Sequence, residues 1–316
     1  MADSSRAVKL AAQAELSGFD CFWYCEDLFK RDAWVVLSAA AKATERIGLG
    51  TAVVNPFSSS VVEIAMRAAT LSELSEGRFR LGLGVGAQET LRWAGIRVDK
   101  PLRSFITAVE NLKKLMRMEG DSRRLTFNPG FSIPIYIGGQ GPKTVELIGR
   151  LGDGGLPLLV PPEAATKFLP IIRNSAMKHG RSINSIDVSG CVWYYVADTR
   201  EELMSSRKPR ELIAYYGPLL SDEVLGTAGL RRSDFAEIEK LSQNGEFEQA
   251  LGLVSPKMFN LVIAGTYDQP DLIVSRFKQL ARHGLAHFNI GPPLGEDLEK
   301  AVEFTGGLRA SLQNVL

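Results

Sequence analysis

The sequence predicts an α/β protein built on a parallel β-sheet, and three observations support this fold class. Short, almost continuously apolar segments alternate with longer segments of helical periodicity along the chain. Seven such apolar segments can be distinguished, and each is followed by a helical segment. Apolar strands of this kind are typical of parallel sheets that helices cover. The pattern allows a doubly wound sheet or a (β/α)8 barrel, and the number of strand–helix pairs favours the barrel.

After an initial helix, strands and helices alternate regularly through the first half of the chain. The initial helix is predicted to end before Gly18, because glycine commonly terminates a helix. The second strand is followed by Asn55 and Pro56, which end it, and Asn55 is expected to be extended because it precedes a proline. The predicted strands here are 20–26, 47–54, 79–86 and 133–139, and the predicted helices are 5–16, 33–44, 61–74, about 102–118 and 142–151.

The second half of the chain is less regular. Its predicted strands are 155–160, 186–197 and 285–291, and its predicted helices are 163–179 and 296–312. Residues 198–284 contain helical segments without a clear strand, so we interpret them as a helical insertion before the last strand. The sequence contains neither an internal repeat nor a low-complexity linker, and we expect residues 1–316 to form a single domain. Because the chain starts on a helix, the predicted barrel lacks its first strand.

The composition argues against several classes of protein. Lys and Arg total 37 against 36 Asp and Glu, so the net charge of +1 provides no field that would recruit nucleic acid or a membrane surface. Three cysteines, an odd number, are typical of a reducing compartment. The first residues form no long apolar segment of the kind that targets a chain to a membrane. We therefore expect a cytoplasmic protein whose partners are neither nucleic acid nor a membrane.

The segment 138-GGQGPKT-144 is a candidate binding site for an anion. It joins a predicted strand to a predicted helix, and Gly138, Gly139 and Gly141 would let the backbone approach a ligand closely. Pro142 suits the first turn of the helix, whose free N–H groups and positive dipole end would face the carboxyl edge of the strands. Barrel enzymes bind phosphates at that edge. A tight turn that needs glycine geometry explains the segment equally well.

Two further loops and a pair of carboxylates lie at the same predicted edge. In the loop 82-GLGVGAQET-90, Gly84 and Gly86 have no side chains, which would leave space for a flat ring. The loop 50-GTAVVNPF-57 contains small and β-branched residues and ends on an Asn-Pro pair and Phe57. Tight packing of small residues and an ordinary loop are the respective alternatives. Glu26 and Asp27 end the first predicted strand, where either could donate a proton or contact a ligand. A helix N-cap or a solvated pair explains them as well. The sequence contains no metal-binding or serine-hydrolase motif.

In combination, these segments resemble the bacterial-luciferase-like superfamily. Within it, the resemblance is strongest to the coenzyme F420-dependent oxidoreductases that include 5,10-methylenetetrahydromethanopterin reductase. The runs that carry the resemblance are 42-KATERIGLGTAVVNPF-57, 67-RAATLSELSEGRFRLGLGVG-86, 134-PIYIGGQGPKTVELIGRLGDG-154, 245-GEFEQALGLVSPKMFNLVIAGTYDQPDLIVSRFKQL-280 and 285-LAHFNIGPPLGED-297.

The resemblance implies a TIM (β/α)8 barrel, usually a homodimer, with a flavin or deazaflavin at the carboxyl ends of the strands. The family's phosphate-holding turn matches Gly138, Gly139, Gln140 and Gly141. Its ring-supporting bulge, often with a non-prolyl cis peptide, matches Ala52, Val53 and Val54, with Asn55 next in the chain. Its loop after the following strand matches Gly84, Val85 and Gly86.

Several positions depart from the family's pattern. The family's first strand, which carries a carboxylate toward the site, is absent, and its Asp-His pair is replaced by Glu26 and Asp27. The acidic residue expected after Gly86 is Ala87, and the arginine common near residues 58–60 is missing. Three explanations stay open: a start codon further upstream, another element in the gap, or a degenerate paralogue.

We therefore predict an oxidoreductase that transfers a hydride between coenzyme F420 and a small electrophile, with methylenetetrahydromethanopterin as a candidate. Glu26 and Asp27 are the candidate catalytic residues, and no metal is expected. One alternative is an FMN-dependent luciferase-like monooxygenase. The other is a non-catalytic paralogue that only binds the cofactor.

Overall fold

The computed structural model describes residues 3–117 and 125–312. These residues contain eight β-strands and fifteen α-helices. The chain divides into two compact units. The first consists of the residues up to Pro157 together with Ile171–Val188, and the second of Leu158–Pro170 together with the residues from Ser189 onward. Strands and helices alternate through much of the chain, so the predicted α/β class is confirmed.

The first unit begins with a helix and continues with alternating strands and helices. Its strands are β1 (Cys21–Tyr24), β2 (Gly48–Thr51), β3 (Phe79–Leu83), β4 (Ile135–Gly139) and the start of β5 (Gly154–Leu159). Its helices are α1 (Ser4–Leu16), α2 (Ala33–Ala43), α3 (Val61–Leu74), α4 (Gln88–Trp93), α5 (Pro101–Met116), α6 (Pro142–Leu151) and the end of α7 (Ala165–Lys178). The strands lie in the order β1-β2-β3-β4-β5 and pair in parallel. The end predicted for α5, Met118, lies outside the described residues.

Side-chain caps explain where the first three helices begin. The carboxylate of Asp3 accepts the Arg6 N–H at the start of α1, and that of Asp32 accepts the Val35 N–H at the start of α2. Ser60 opens α3 with a capping box that satisfies two N–H groups at the helix start. Helix α4 is not predicted from the sequence, because six residues are too few to establish a helical period.

Large side chains in the first unit pack against glycines on neighbouring strands. A Cβ added to Gly50 of β2 would lie 2.2 Å from the indole of Trp23, and one added to Gly154 of β5 would lie 2.2 Å from the ring of Tyr136. The two rings meet edge to face, with centroids 5.0 Å apart. The absence of side chains at Gly50 and Gly154 therefore makes room for the aromatic rings of Trp23 and Tyr136 between the strands.

The second unit contains the later strands and a series of shorter helices. Its strands are β6 (Asp187–Ala197, from Ser189 onward), β7 (Ile263–Thr266) and β8 (His287–Leu294). Its helices are α8 (Arg200–Ser205), α9 (Arg207–Tyr216), α10 (Asp222–Gly226), α11 (Ala236–Gln243), α12 (Phe247–Gly252), α13 (Pro270–Arg282), α14 (Leu298–Gly307) and α15 (Arg309–Leu312). Strand β6 pairs in parallel with both β7 and β8, and Tyr195 lies opposite Ala264 on one side and Leu294 on the other.

Strand β7 is not predicted from the sequence. It lies within residues 198–284, which are otherwise mostly helical, and it consists of only four residues, Ile-Ala-Gly-Thr. A segment so short, with one glycine and one alanine, lacks the apolar run that identified the other strands. The described residues therefore contain eight strands rather than the seven expected, and α1 is the first element among them. The single-domain interpretation stays a prediction.

The helices in the described part of the chain are all too short or too polar to cross a membrane.

Candidate active site

The three glycine-containing segments predicted to bind a cofactor meet around the side chain of Val53. The peptide bond between Ala52 and Val53 is cis, as the family resemblance implies. A Cβ added to Gly84, just after β3, would lie 2.5 Å from Val53 Cγ2. One added to Gly138, in β4, would lie 2.7 Å from Val53 Cγ1. Glycine at both positions is therefore what allows the Val53 side chain to lie between the two segments.

Backbone hydrogen bonds fix this bulge to the strands on either side. The Ala52 N–H donates to the Tyr24 carbonyl at the end of β1, over 2.8 Å. The Val54 N–H donates to the Gly82 carbonyl of β3, and the Gly84 N–H donates to the Val54 carbonyl, both over 2.9 Å. The position of Val53 is thus determined by β1 and β3 together.

Asn55 shapes the loop that follows the bulge. Its buried side-chain Oδ1 accepts the N–H groups of Phe57 (3.0 Å) and Ser58 (2.9 Å). Gly86 has a φ angle of 74°, and a Cβ added there would lie 3.2 Å from the Asn55 Cβ. Asn55 and Gly86 are therefore neighbours, with the half-buried Val85 beside them in the chain. The amide of Asn55 organises the backbone here, and its Oδ1 is already occupied.

Helix α6 begins at Pro142, directly after the predicted phosphate-holding turn. The Gly141 N–H donates to Thr144 Oγ1 over 3.2 Å, and the Thr144 hydroxyl donates to the Gly141 carbonyl over 2.8 Å. A Cβ added to Gly139 would lie 2.5 Å from Thr144 Oγ1, whereas one added to Gly141 would meet nothing within 4 Å. The turn is thus tightly packed on one side and open on the other.

The open side of this turn is suited to an anion. Gln140, Gly141 and Lys143 are all exposed there. Lys143 lies in the first helical turn, where its charge adds to the positive end of the helix dipole instead of opposing it. A phosphate would satisfy both the lysine and the helix terminus. Lys143 and Thr144 are not among the predicted site residues, although their places in the first turn of a helix after Pro142 are a signal that could have identified them.

Glu26 and Asp27 lie in different surroundings. Glu26 is half-buried, and its Oε2 accepts the N–H of Ala33, the first residue of α2, over 2.6 Å. Burial raises the pKa of Glu26 above its ordinary value, and it outweighs the opposing effect of that hydrogen bond. Asp27 is exposed and forms a 2.8 Å ion pair with Lys30. Half-burial and the raised pKa therefore favour Glu26 as the candidate acid of the pair.

Among the described residues, no group of three or more histidine, cysteine or acidic side chains is arranged to hold a metal ion. The candidate site consists of backbone groups, glycines, small apolar side chains, the amides of Asn55 and Gln140, and the carboxylates of Glu26 and Asp27.

The sequence profile of the luciferase-like monooxygenase family matches residues 2–287. The chain belongs to this family. Among its luciferase-like relatives, the 5,10-methylenetetrahydromethanopterin reductase of Archaeoglobus fulgidus is 30% identical over 308 residues, which cover 93% of this chain and 91% of the reductase. The same-named enzyme of Methanolobus tindarius is 29% identical, covering 94% of this chain and 93% of the enzyme.

Solved luciferase-like structures have the same fold. The coenzyme F420-dependent tetrahydromethanopterin reductase of Methanopyrus kandleri superposes with a TM-score of 0.84 at 25% identity, covering 96% of this chain and 94% of that chain. The FMN complex of the 3,6-diketocamphane monooxygenase from Pseudomonas putida superposes with a TM-score of 0.67 at 16% identity, covering 96% of this chain and 91% of that chain, and shows the fold alone. The predicted luciferase-like TIM-barrel class is confirmed.

Proposed function

We propose that this protein is a coenzyme F420-dependent oxidoreductase that transfers a hydride to a small electrophile, with methylenetetrahydromethanopterin as the first candidate. The observation that carries the proposal is the meeting of Gly84 and Gly138 on the Val53 side chain, beside the cis peptide. Its support from outside this chain is the similarity to methylenetetrahydromethanopterin reductases over more than nine-tenths of the sequence.

The residues of the site fit a flavin-like group in two places. The flat ring would rest on the bulge Ala52–Val54, since the glycines at 84 and 138 keep side chains away from Val53. The phosphate of its side chain would bind at the turn Gly139–Gly141, where a Cβ on Gly141 would meet only open space and Lys143 supplies positive charge. When bound, reduced F420 supplies the hydride. The protein then contributes proximity and orientation, which need few catalytic side chains.

We propose Glu26, which follows β1 at the carboxyl edge of the strands, as the residue that holds a proton for the reaction. Its half-buried carboxyl has a raised pKa, because burial disfavours the charged form. Reduction of a methylene group bridging two nitrogens releases one nitrogen, which then takes up a proton. We propose Glu26 as the donor of that proton and assign Asp27 no more than a supporting role, since Lys30 neutralises it at the surface.

Equilibrium titration with oxidised F420, followed by its absorption and fluorescence, tests the cofactor assignment. Lys143→Gln should weaken binding several-fold, because it removes charge from an exposed position without disturbing packing. Gly138→Ala should weaken binding more strongly, because its methyl group would displace Val53. Gly252→Ala is the matched control, since a Cβ there would meet nothing within 4 Å. Wild-type protein that binds no deazaflavin would contradict the proposal.

FMN is the second candidate cofactor, and the family's monooxygenase members favour it. The same titration with FMN distinguishes the two, because a single site should prefer one of them clearly. Preference for FMN, with oxygen consumption in the presence of a reductant, would replace the reductase by a monooxygenase. Binding without turnover of either cofactor across pterin substrates would favour the non-catalytic paralogue.

We further propose that the protein is a cytoplasmic homodimer. The support is the family resemblance, together with three cysteines that are all free thiols. Light scattering after gel filtration should give about twice the chain mass of 34.6 kDa. A mass equal to that of one chain at micromolar concentration would contradict the dimer.

A further inference from the structure

Phe29 lies in an unfavourable conformation in the loop between β1 and α2. Its φ angle is 67°, in the left-handed region, and 72% of its surface is exposed. A bulky side chain is rarely found at positive φ, because its Cβ crowds the following carbonyl oxygen. An aromatic ring in water also forgoes the stabilisation that burial would provide. Residues in such strained conformations cluster at ligand-binding sites.

The turn that presents Phe29 is held in place on both sides. The Lys30 N–H donates to the Asp27 carbonyl over 3.0 Å, and the Lys30 ammonium group contacts the Asp27 carboxylate over 2.8 Å. Before this turn, Glu26 is tied to the N–H of Ala33. The exposed ring is therefore carried by a closed turn with its own hydrogen bonds.

This loop leaves β1 next to the bulge of the candidate site. Tyr24, the last residue of β1, accepts the hydrogen bond from Ala52, whose peptide bond to Val53 is cis. The loop after β1 and the bulge after β2 thus emerge from paired strands at the same carboxyl edge. In barrel enzymes the substrate is bound by the loops at this edge.

We propose that Phe29 is a substrate-binding residue, whose ring stacks on the flat heterocycle of a pterin electrophile. The inference rests on the proposed function. It adds a contact with the substrate, which the glycine-containing segments around Val53 do not provide. A planar heterocycle can stack on an exposed aromatic ring, because the contacting faces of both rings are then removed from water. Arg31, exposed two residues further on, places positive charge where an acidic substituent of the pterin would be favoured.

The test measures pterin binding separately from turnover. Wild-type protein and Phe29→Asn, each saturated with oxidised F420, are titrated with tetrahydromethanopterin and with tetrahydrofolate, which lack the methylene group to be reduced. We expect the dissociation constant of the pterin that binds to rise about tenfold in Phe29→Asn, which corresponds to about 1.4 kcal/mol. Phe29→Tyr should keep the wild-type affinity, and the F420 affinity should not change in either variant.

Thermal unfolding separates lost stacking from lost folding. Asparagine tolerates a positive φ better than phenylalanine, so the melting temperature of Phe29→Asn should be unchanged or higher. Phe131→Asn is the control, because this partly exposed aromatic residue precedes β4 at the amino ends of the strands. It should leave the pterin affinity unchanged.

The possible outcomes separate the inference from the proposed function. Equal pterin affinity in wild type and Phe29→Asn overturns the inference and leaves the proposed function standing. Wild-type protein that binds F420 but neither pterin also overturns it. Wild-type protein that does not bind F420 contradicts the proposed function, and the inference is then withdrawn with it.

Discussion

At the scale of single residues, the neighbouring carboxylates of Glu26 and Asp27 differ in burial and in their partners. Glu26 is half-buried and bonded to the start of α2, whereas Asp27 is exposed and paired with Lys30. The adjacent Tyr24 shows a different feature: its hydroxyl oxygen is buried and has no hydrogen-bond partner among the described residues. Each of these observations leads to a prediction for one substitution.

Glu26→Gln should abolish the part of the pH dependence of kcat that arises from titration of the Glu26 carboxyl. If Glu26 donates a proton, the rate of the wild type falls as the pH rises through the raised pKa of its carboxyl, above the ordinary value of about 4.3. Glutamine can still accept the Ala33 N–H but does not titrate, so the variant should be slower at low pH and lose this limb of the profile. The measurement is kcat against pH, with Asp27→Asn as the control. An unchanged profile in Glu26→Gln would exclude Glu26 as the donor.

Tyr24→Phe should be neutral or stabilising. A buried hydroxyl without a partner carries a desolvation cost, so its removal should raise the free energy of unfolding by up to about 1 kcal/mol. Tyr194→Phe is the control, because the Tyr194 hydroxyl accepts a hydrogen bond from Thr305 over 2.9 Å, and its loss should cost about 1 kcal/mol. Urea denaturation measures both. A clear loss of stability in Tyr24→Phe would mean that its hydroxyl has a partner after all.

At the scale of secondary-structure elements, Arg78 connects the end of α2 to the start of β2. Its guanidinium donates to the carbonyls of Ala41 and Thr44 at the end of the helix, both over 3.0 Å. It also donates to the Thr44 hydroxyl over 3.0 Å and to the Ile47 carbonyl over 2.8 Å. The charge lies at the negative end of the helix dipole, where a cation is favourable.

Arg78→Ala should be among the more destabilising substitutions of a charged residue in this protein. It leaves four acceptors without their donor, and we expect a loss of about 3 kcal/mol in the free energy of unfolding. Arg103→Ala, at an exposed position of α5, should change the same quantity by less than about 0.5 kcal/mol. Chemical denaturation of both variants checks the difference. Similar values for the two would show that the guanidinium bonds contribute little.

Element prediction from the sequence succeeded where the signals are local. Helices α1, α2, α3 and α6 begin within one residue of their predicted starts, since their caps and the proline of α6 are read from neighbouring residues. Strand β7 and helix α4 were missed, because four or six residues carry too little periodic signal. Strand β7 is stabilised by its pairing with Tyr194–Ala197, about 70 residues earlier, which no local pattern reveals.

At the scale of the whole molecule, the interior of the first unit depends on matching large residues with glycines from distant parts of the chain. Gly50 accommodates Trp23, and Gly154 accommodates Tyr136. The paired residues lie on different strands, and the two aromatic rings contact each other. A substitution at one of these glycines should therefore disturb the packing of several strands.

Gly50→Ala should cost about 2–4 kcal/mol of stability, because its methyl group would overlap the indole of Trp23. Trp23→Leu alone should also destabilise the protein, by leaving a cavity. In the double variant the smaller side chain makes room for the methyl group, so the loss should be at least about 1 kcal/mol less than the sum. Denaturant titration of all four proteins completes the cycle. Strictly additive losses would show that the two residues are not coupled.

The sequence by itself determined the fold class, the family and the segments that form the candidate site. These features depend on apolar periodicity, on glycine and proline positions and on their order, all of which are legible along the chain. Only the tertiary structure decided that Val53 lies between Gly84 and Gly138, that Glu26 rather than Asp27 is half-buried, and that Phe29 is held exposed at positive φ. These facts depend on contacts between residues far apart in sequence and on backbone angles, and neither is encoded by the type of a residue and its immediate neighbours.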